Sequence, residues 1–268
     1  MNEHYGRGGL AAMIINALRA AGKDPDALAI EDLAPIDQLH LRGREATLEL
    51  ARLAGITPSM QVLDVGGGLG GPARTLASEF GCALEVLDLT EEFCRAGEVL
   101  TARTGLADLV SFRHSSALEM PYPNATFDVA WTQHSSMNIA DKVRLYVEIR
   151  RVLRPGGRLA MHEILAGEVS PIHLPVPWAR DPSLSHLRPP EEVRAILKDI
   201  GFEELAWTDE TTSALRWQQK RPAATPTSPP PLGIHLVFGN DFGEMLHNQL
   251  RNLEEGRISI AQAVLKRP

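Results

Sequence analysis

The residues best placed to do chemistry are two carboxylates flanking a run of glycines. Residues 62–71 read VLDVGGGLGG: a short apolar stretch suited to a buried strand, with Asp64 inside it, then glycines opening directly onto a helix. Pro72 follows, where an early helical residue can spare its N–H. The glycines permit a tight turn with positive φ and let a ligand approach the backbone closely, while amides at a helix start attract an anionic group. Such a junction is built to hold a nucleotide-like ligand. Its pattern leaves the ligand open, because Gly66, Gly68 and Gly71 satisfy G-x-G-x-x-G, as in dinucleotide sites, whereas Gly66, Gly68 and Gly70 satisfy G-x-G-x-G. Asp64 lies at the carboxyl edge of the sheet, where its charge suits an ammonium group better than a pyrophosphate. Asp88 ends the next apolar run, residues 83–89 (ALEVLDL), at the spacing expected of a ribose-binding acid. Its carboxylate can accept from both ribose hydroxyls, and Leu89 would then lie against an adenine.

The stretch 64–70 (DVGGGLG) resembles the first motif of class I S-adenosylmethionine-dependent methyltransferases, whose ligand carries an amino group and a sulfonium. Residues 115–123 (SSALEMPYP) followed by 127–131 (FDVAW) resemble that family's third and fourth sheet positions, and 151–159 (RVLRPGGRL) its helix-to-strand junction. Residues 37–43 and 131–134 are most similar to the small-molecule group that includes sarcosine and dimethylglycine N-methyltransferases, ubiquinone-type C-methyltransferases and tocopherol methyltransferases. The resemblance implies S-adenosylmethionine as cofactor, S-adenosylhomocysteine as product and a small-molecule acceptor, with an amine nitrogen slightly ahead of carbon or oxygen. It places the adenine at Ser116 and Ala117. Many relatives carry Asp where this chain has Ser116, which accepts more weakly, whereas the Ala117 N–H can bond an adenine ring nitrogen whatever its side chain. No magnesium set of the catechol type is recognisable, so no metal is expected. A nicotinamide-dependent oxidoreductase and a donor-binding protein without catalysis are the alternatives.

The acceptor belongs above the carboxyl ends of the strands. Gln133 and His134 leave the fourth strand there, Gln133 toward the cofactor and His134 as a base or hydrogen-bond partner near neutral pH. Met137 and Asn138 continue the same loop. Gln38, His40 and Arg42 lie in a polar lead-in that can close on the donor, with His40 a second candidate base and Gln38 a candidate acceptor contact. Trp178, Arg180 and His186 fall in a long connection after the fifth strand, Trp178 being the candidate acceptor contact. Methyl transfer is an in-line displacement, so alignment and exclusion of water are the main demands on these residues.

The elements that must position them follow from periodicity and breakers. Leu10, Met13, Ile14 and Leu18 recur at helical spacing toward Gly22, residues 32–42 form a connection, and 44–54 form a helix stopped by Gly55. Thr90 reads as a hydroxyl cap, with Glu91 and Glu92 in the first turn and Gly105 as the stop. Pro155-Gly156-Gly157 reads as a turn into a strand beginning near Leu159. The expected fold is Rossmann-like α/β: a seven-stranded, mostly parallel sheet with helices on both faces and an antiparallel last strand. An N-terminal helical lid (1–56) precedes a methyltransferase domain (57–268) that carries a substrate insertion (166–190) and a proline-rich, mobile connection (221–233).

Composition sets outer limits. A chain of 268 residues with 44% hydrophobic content can bury one sizeable core. A formal net charge of -7 argues against nucleic acid as substrate. Cys82 and Cys94 have neither disulfide-framework nor zinc-site spacing. No export signal or apolar span long enough for a membrane is read, so the expectation is a cytoplasmic protein, with a homo-oligomer possible.

Overall fold

The computed structural model describes residues 9–220, 231–239 and 241–268. Residues 221–230 of the proline-rich connection lie outside them. Seven strands form one sheet: β1 (Gln61–Val65), β2 (Ala83–Asp88), β3 (Val110–His114), β4 (Phe127–Gln133), β5 (Leu153–Ala166), β6 (Glu203–Asp209) and β7 (Ile258–Lys266). Their spatial order is β3-β2-β1-β4-β5-β7-β6. β1 to β5 pair in parallel, and β7 runs antiparallel to both neighbours, β5 and β6. That inserted antiparallel strand separates the sheet from the all-parallel order 3-2-1-4-5-6 of nicotinamide domains.

Alternation along the strands divides the core. Leu63, Val65, Ala130, Leu159 and Met161 face one layer, where they meet Leu145 and Ile149 of α6 (Lys142–Val152) and Val193 and Leu197 of α7 (Pro190–Ile200). Val62, Val86, Val129, Trp131 and Ala160 face the other, against α3 (Gly43–Ala54) and α4 (Gly71–Phe80). A third apolar cluster lies beside the glycine loop. It joins α1 (Leu10–Ala20) and α2 (Ile30–Asp37) to Leu69, to Phe93 and Leu100 of α5 (Glu91–Arg103), and to Phe238 and Met245 of α9 (His235–Phe238) and α10 (Phe242–Glu254). The remaining helix, α8 (Thr211–Gln219), contributes Ala214 to a fourth cluster with Trp178, Leu253 and Ile260.

Three local readings change. The stretch 32–42 is not a plain connection, because α2 occupies Ile30–Asp37 despite Pro35. Leu33 and Ile36 are fully buried, and the Asp32 carboxylate accepts from the Ala29 N–H at 3.0 Å, so burial and a cap outweigh the hydrogen bond that proline removes. Thr90 precedes α5 without a side-chain cap; its own N–H donates to Asp88 Oδ1 at 2.8 Å. The fifth strand starts at Leu153 rather than near Leu159, running through Gly156 with a register irregularity against Phe127 and Val129. Gly157 is required there because a Cβ would lie 2.8 Å from the Arg154 carbonyl oxygen.

One ion pair ties the N-terminal helices to the glycine loop. Arg74 on α4 and Asp37 at the end of α2 are completely buried, with Nη2 to Oδ2 at 2.9 Å, and Arg74 Nη1 donates to Thr101 at 2.9 Å. Burial pushes the Asp37 carboxyl up, and the guanidinium opposes that shift. Removing one member of such a pair strands the other charge, whereas replacing both by apolar or neutral isosteres is far cheaper. Arg74→Ala is expected to lose about 3–5 kcal/mol in urea denaturation, and the double replacement Arg74→Met with Asp37→Asn to recover most of it.

Candidate active site

The carboxyl ends of β1 to β5 open onto a cavity of about 370 Å³. Its floor is Asp64 and the loop Gly66-Gly67-Gly68. One end is walled by Asp88, Leu89, Ser116 and Ala117, the other by Gln133, His134, Met137, Ile164 and Trp178. The cavity therefore straddles the reversal in strand order between β1 and β4, where open α/β sheets bind ligands.

The loop's shape is fixed by close contacts. The Gly66 N–H donates to the Leu87 carbonyl at 2.7 Å, with φ at +74°, and a Cβ there would lie 2.5 Å from Ser135 Cβ. At Gly67 a Cβ would lie 2.5 Å from Asp64 Oδ2, so the carboxylate packs directly against glycine backbone. Gly68 donates to Asp88 Oδ2 at 2.9 Å. Gly70 does not line the cavity: it precedes α4 in a left-handed conformation, and a Cβ there would strike the Phe112 ring.

Two acids thus sit at the tips of adjacent strands. Asp88 holds the loop, each oxygen accepting one backbone N–H, and its outer lone pairs are left for a ligand. Burial raises its carboxyl, and the Thr90 and Gly68 N–H groups pull it back. Asp64 is 1% exposed, and its Oδ2 has no hydrogen-bond partner. Burial, with Asp88 adding to it, pushes Asp64 up to about 8.

The next strand tip carries an ordered polar chain. Trp131 Nε1 can only donate, so Gln133 Oε1 accepts from it at 2.9 Å, and the Thr47 hydroxyl donates to the same oxygen at 3.1 Å. Gln133 Nε2 is then a buried donor without a partner, aimed from a residue that lines the cavity. His40 Nε2 lies 3.0 Å from the Gly43 carbonyl and 3.1 Å from Thr47. The carbonyl demands a donor, which makes Nδ1 the ring's acceptor.

His40, His134 and His162 form a cluster. The His134 and His162 rings stack with centroids 5.0 Å apart, and His40 stands edge-on to each at 6.1 Å. His134 takes φ +50°, a left-handed conformation costing roughly 1–2 kcal/mol for a non-glycine residue, and its N–H donates to the His162 carbonyl at 3.0 Å. Its Nε2 is shielded from solvent without a partner. Burial, then the neighbouring imidazoles, hold the His134 pKa well below the usual range, and burial takes His40 to about 4. All are neutral imidazoles at pH 7. The loop after β4 is clamped from beneath: Glu163 Oε2 accepts from the Ser135 and Ser136 N–H groups at 3.2 Å each, and Lys142 Nζ donates to the Ser136 and Ile139 carbonyls at 2.5 and 2.6 Å.

The other expected residues are distributed unevenly. Met137 and Trp178 line the cavity, as do Asn138 and His186, and Trp178 Nε1 is held by Ser185 at 3.0 Å. Ser116 lines it with a hydroxyl that already accepts from the Leu118 N–H at 3.1 Å. Gln38 faces a small neighbouring cavity of about 40 Å³ instead. Arg42 pairs with Glu49 and Glu210 at 2.7 and 2.9 Å, and Arg180 pairs with Asp241. Leu39, Phe93, Ile139, Ile164, Phe238 and Gln249 also belong to the wall. Their only mark in the sequence is apolar or amide character, which core residues share.

Comparison with known proteins agrees with this geometry. Residues 63–161 match a family described as a methyltransferase domain. The chain is thus similar in sequence to methyltransferases. It is 31% identical over 181 residues to the sarcosine/dimethylglycine N-methyltransferase of Halorhodospira halochloris, covering 68% of this chain and 64% of that one. It is also 31% identical over 175 residues to the glycine/sarcosine/dimethylglycine N-methyltransferase of Actinopolyspora halophila, covering 65% of this chain and 31% of that one. The chain thus spans less than two thirds of these curated relatives. Among solved structures, geranyl diphosphate C-methyltransferase from Streptomyces coelicolor A3(2) superposes with a TM-score of 0.69 at 17% identity, covering 84% of this chain and 79% of that one, a likeness of fold. Among the described residues, no helix is long and apolar enough to cross a membrane.

Asp64 carries the site's electrostatic cost. Its folded pKa of about 8 exceeds the roughly 3.9 of an unfolded aspartate, so the native state binds the extra proton and wild-type stability falls as pH rises from about 4 to about 8. Asp64→Asn lacks that fall. In ligand-free thermal denaturation the variant's advantage over wild type is expected to grow across this window, to the order of a few kcal/mol; a difference independent of pH would contradict the assignment.

Proposed function

We propose that the chain transfers a methyl group from S-adenosylmethionine to a small-molecule acceptor, releasing S-adenosylhomocysteine. The observation that carries this reading is the buried Asp64 carboxyl, unpartnered at Oδ2 beneath a loop with no room for a Cβ at Gly66 or Gly67, with Asp88 at the adjacent strand tip. The residues present fit the cofactor: an orphaned acid for its amino group, a glycine cradle for its backbone-like portion, a second acid for its ribose, Leu89, Ser116 and Ala117 for its adenine, and the Gln133 amide as a further donor. When bound, S-adenosylmethionine supplies an electrophilic methyl group on a sulfonium.

The chain's own part is placement. The clamped loop after β4 sets His134 at the wall, Trp178 and Met137 exclude water, and Asp64 gives up its proton to meet an ammonium. The N-terminal segment 1–56 serves as a cover, supported by α1 and α2 packing beside the glycine loop. The insertion 166–190 serves the acceptor, supported by Trp178 and His186 in the wall. A cytoplasmic setting is supported by two free, buried cysteines, and the net charge of -7 disfavours nucleic acid as acceptor.

Calorimetry with S-adenosylhomocysteine tests the reading. Binding below pH 7 is expected to release about one proton, read from buffers of different ionisation enthalpy, because Asp64 must ionise; the release fades as pH passes about 8 and is absent in Asp64→Asn. Asp88→Ala is expected to weaken binding at least tenfold. Binding of NADH in place of S-adenosylhomocysteine would refute the proposal.

A further inference from the structure

The acceptor end of the cavity has a chemical character of its own. Its walls are Leu39, Met137, Ile164, Pro177, Trp178 and Phe238, drawn from the lead-in, the loop after β4, the tip of β5, the insertion and the C-terminal helices. The charged side chains that line the whole cavity among the described residues are all carboxylates: Asp37, Asp64, Asp88 and Asp141. Four cations of the surrounding elements have partners of their own among the described residues. Arg74 pairs with Asp37, Arg42 with Glu49 and Glu210, Arg180 with Asp241 and the Phe238 carbonyl, and Lys142 with two backbone carbonyls. Two shielded, unsatisfied side-chain nitrogens belong to residues at this end, the Gln133 Nε2 donor and His134 Nε2, and the imidazole is the one that can take up a proton.

An anionic acceptor entering such a space would lose its hydration and meet apolar walls and neutral imidazoles, a cost of several kcal/mol with no cationic lysine or arginine among the described lining residues. A neutral apolar molecule gains from the same walls at about 25 cal/mol per Å² buried, and a single weakly acidic hydroxyl satisfies the orphaned His134 ring nitrogen. Burial keeps His134 unprotonated, hence ready to accept a hydrogen bond.

We propose that the acceptor is an uncharged, largely apolar molecule presenting a hydroxyl to His134, not a carboxylate-bearing amine. This rests on the methyl-transfer reading above. In the step, the acceptor oxygen bonds the methyl carbon while the sulfur–methyl bond breaks with its electron pair left on sulfur. The hydroxyl proton passes to His134 Nε2 and is released to solvent once the products have left the cavity.

The test uses the full chain with S-adenosylhomocysteine bound, and two probes: 2-naphthol as the neutral hydroxyl and dimethylglycine as the zwitterionic amine. Binding is read by calorimetry. Naphthol is expected to bind at least tenfold more tightly than dimethylglycine. His134→Phe, which keeps a ring but removes the acceptor nitrogen, is expected to cost naphthol at least fivefold while S-adenosylhomocysteine still binds, confirming a folded site. Equal or tighter binding of dimethylglycine, or a His134→Phe variant that binds naphthol as well as wild type, overturns the acceptor assignment alone. Failure of S-adenosylhomocysteine to bind wild type overturns the underlying reading and this inference with it.

Discussion

The structure depends on burying an acid without giving it a partner. Asp64 sits at the tip of β1 with glycine backbone against its carboxyl group, and nothing among the described residues satisfies Oδ2. An unpaired buried carboxyl is unfavourable in isolation, so the surrounding fold must stabilise it through contacts elsewhere. The apolar layers on both faces of the sheet, the parallel pairing of β1 with β2 and β4, and the Arg74–Asp37 pair that braces α4 all converge on this point. The arrangement makes sense when the missing partner is a cation that arrives with the ligand.

A second layer of organisation sets the reacting end. Trp131, Gln133, Thr47 and His40 form one directed chain of hydrogen bonds. The fixed donor at Trp131 propagates to define which atom of Gln133 is left free and which nitrogen of His40 carries the proton. The neighbouring loop bends sharply at His134 in a conformation few non-glycine residues adopt, and Glu163 and Lys142 hold it there from inside the protein. Backbone strain retained beside a cavity, secured by two buried charged groups, is the pattern of a site whose geometry is over-determined by its supports.

Much of this could be read from the residues. The glycine loop, Asp64, Asp88 and the alternation of strands with helices are local signals, written within a few residues of each other, and they located one half of the cavity. Gln133 and His134 followed from where a strand must end. What could not be read was the other half. Leu39, Ile164, Phe238 and Gln249 meet only because the chain returns to one place from distant positions, and their residue types match those of any core. The helix Ile30–Asp37 was hidden because Pro35 argues locally against it, while the forces that sustain it, burial of Ile36 and the pairing of Asp37 with Arg74, are tertiary. The role of Asp88 was only half visible: a ligand-facing acid was expected, but its grip on Gly68 and Thr90 depends on the register of β1 against β2.

The placement of β7 between β5 and β6 bears on how the chain comes together during synthesis. β6 emerges first, yet its neighbour in the sheet is residues 258–266, still untranslated at that moment. Until they appear, the growing polypeptide holds a bare hydrogen-bonding edge on β5 and a hairpin half with nothing to zip to, a condition that invites misassembly. Closure of the sheet is therefore a late, long-range event in folding, completed only once residues 258–266 are available to pair with both β5 and β6.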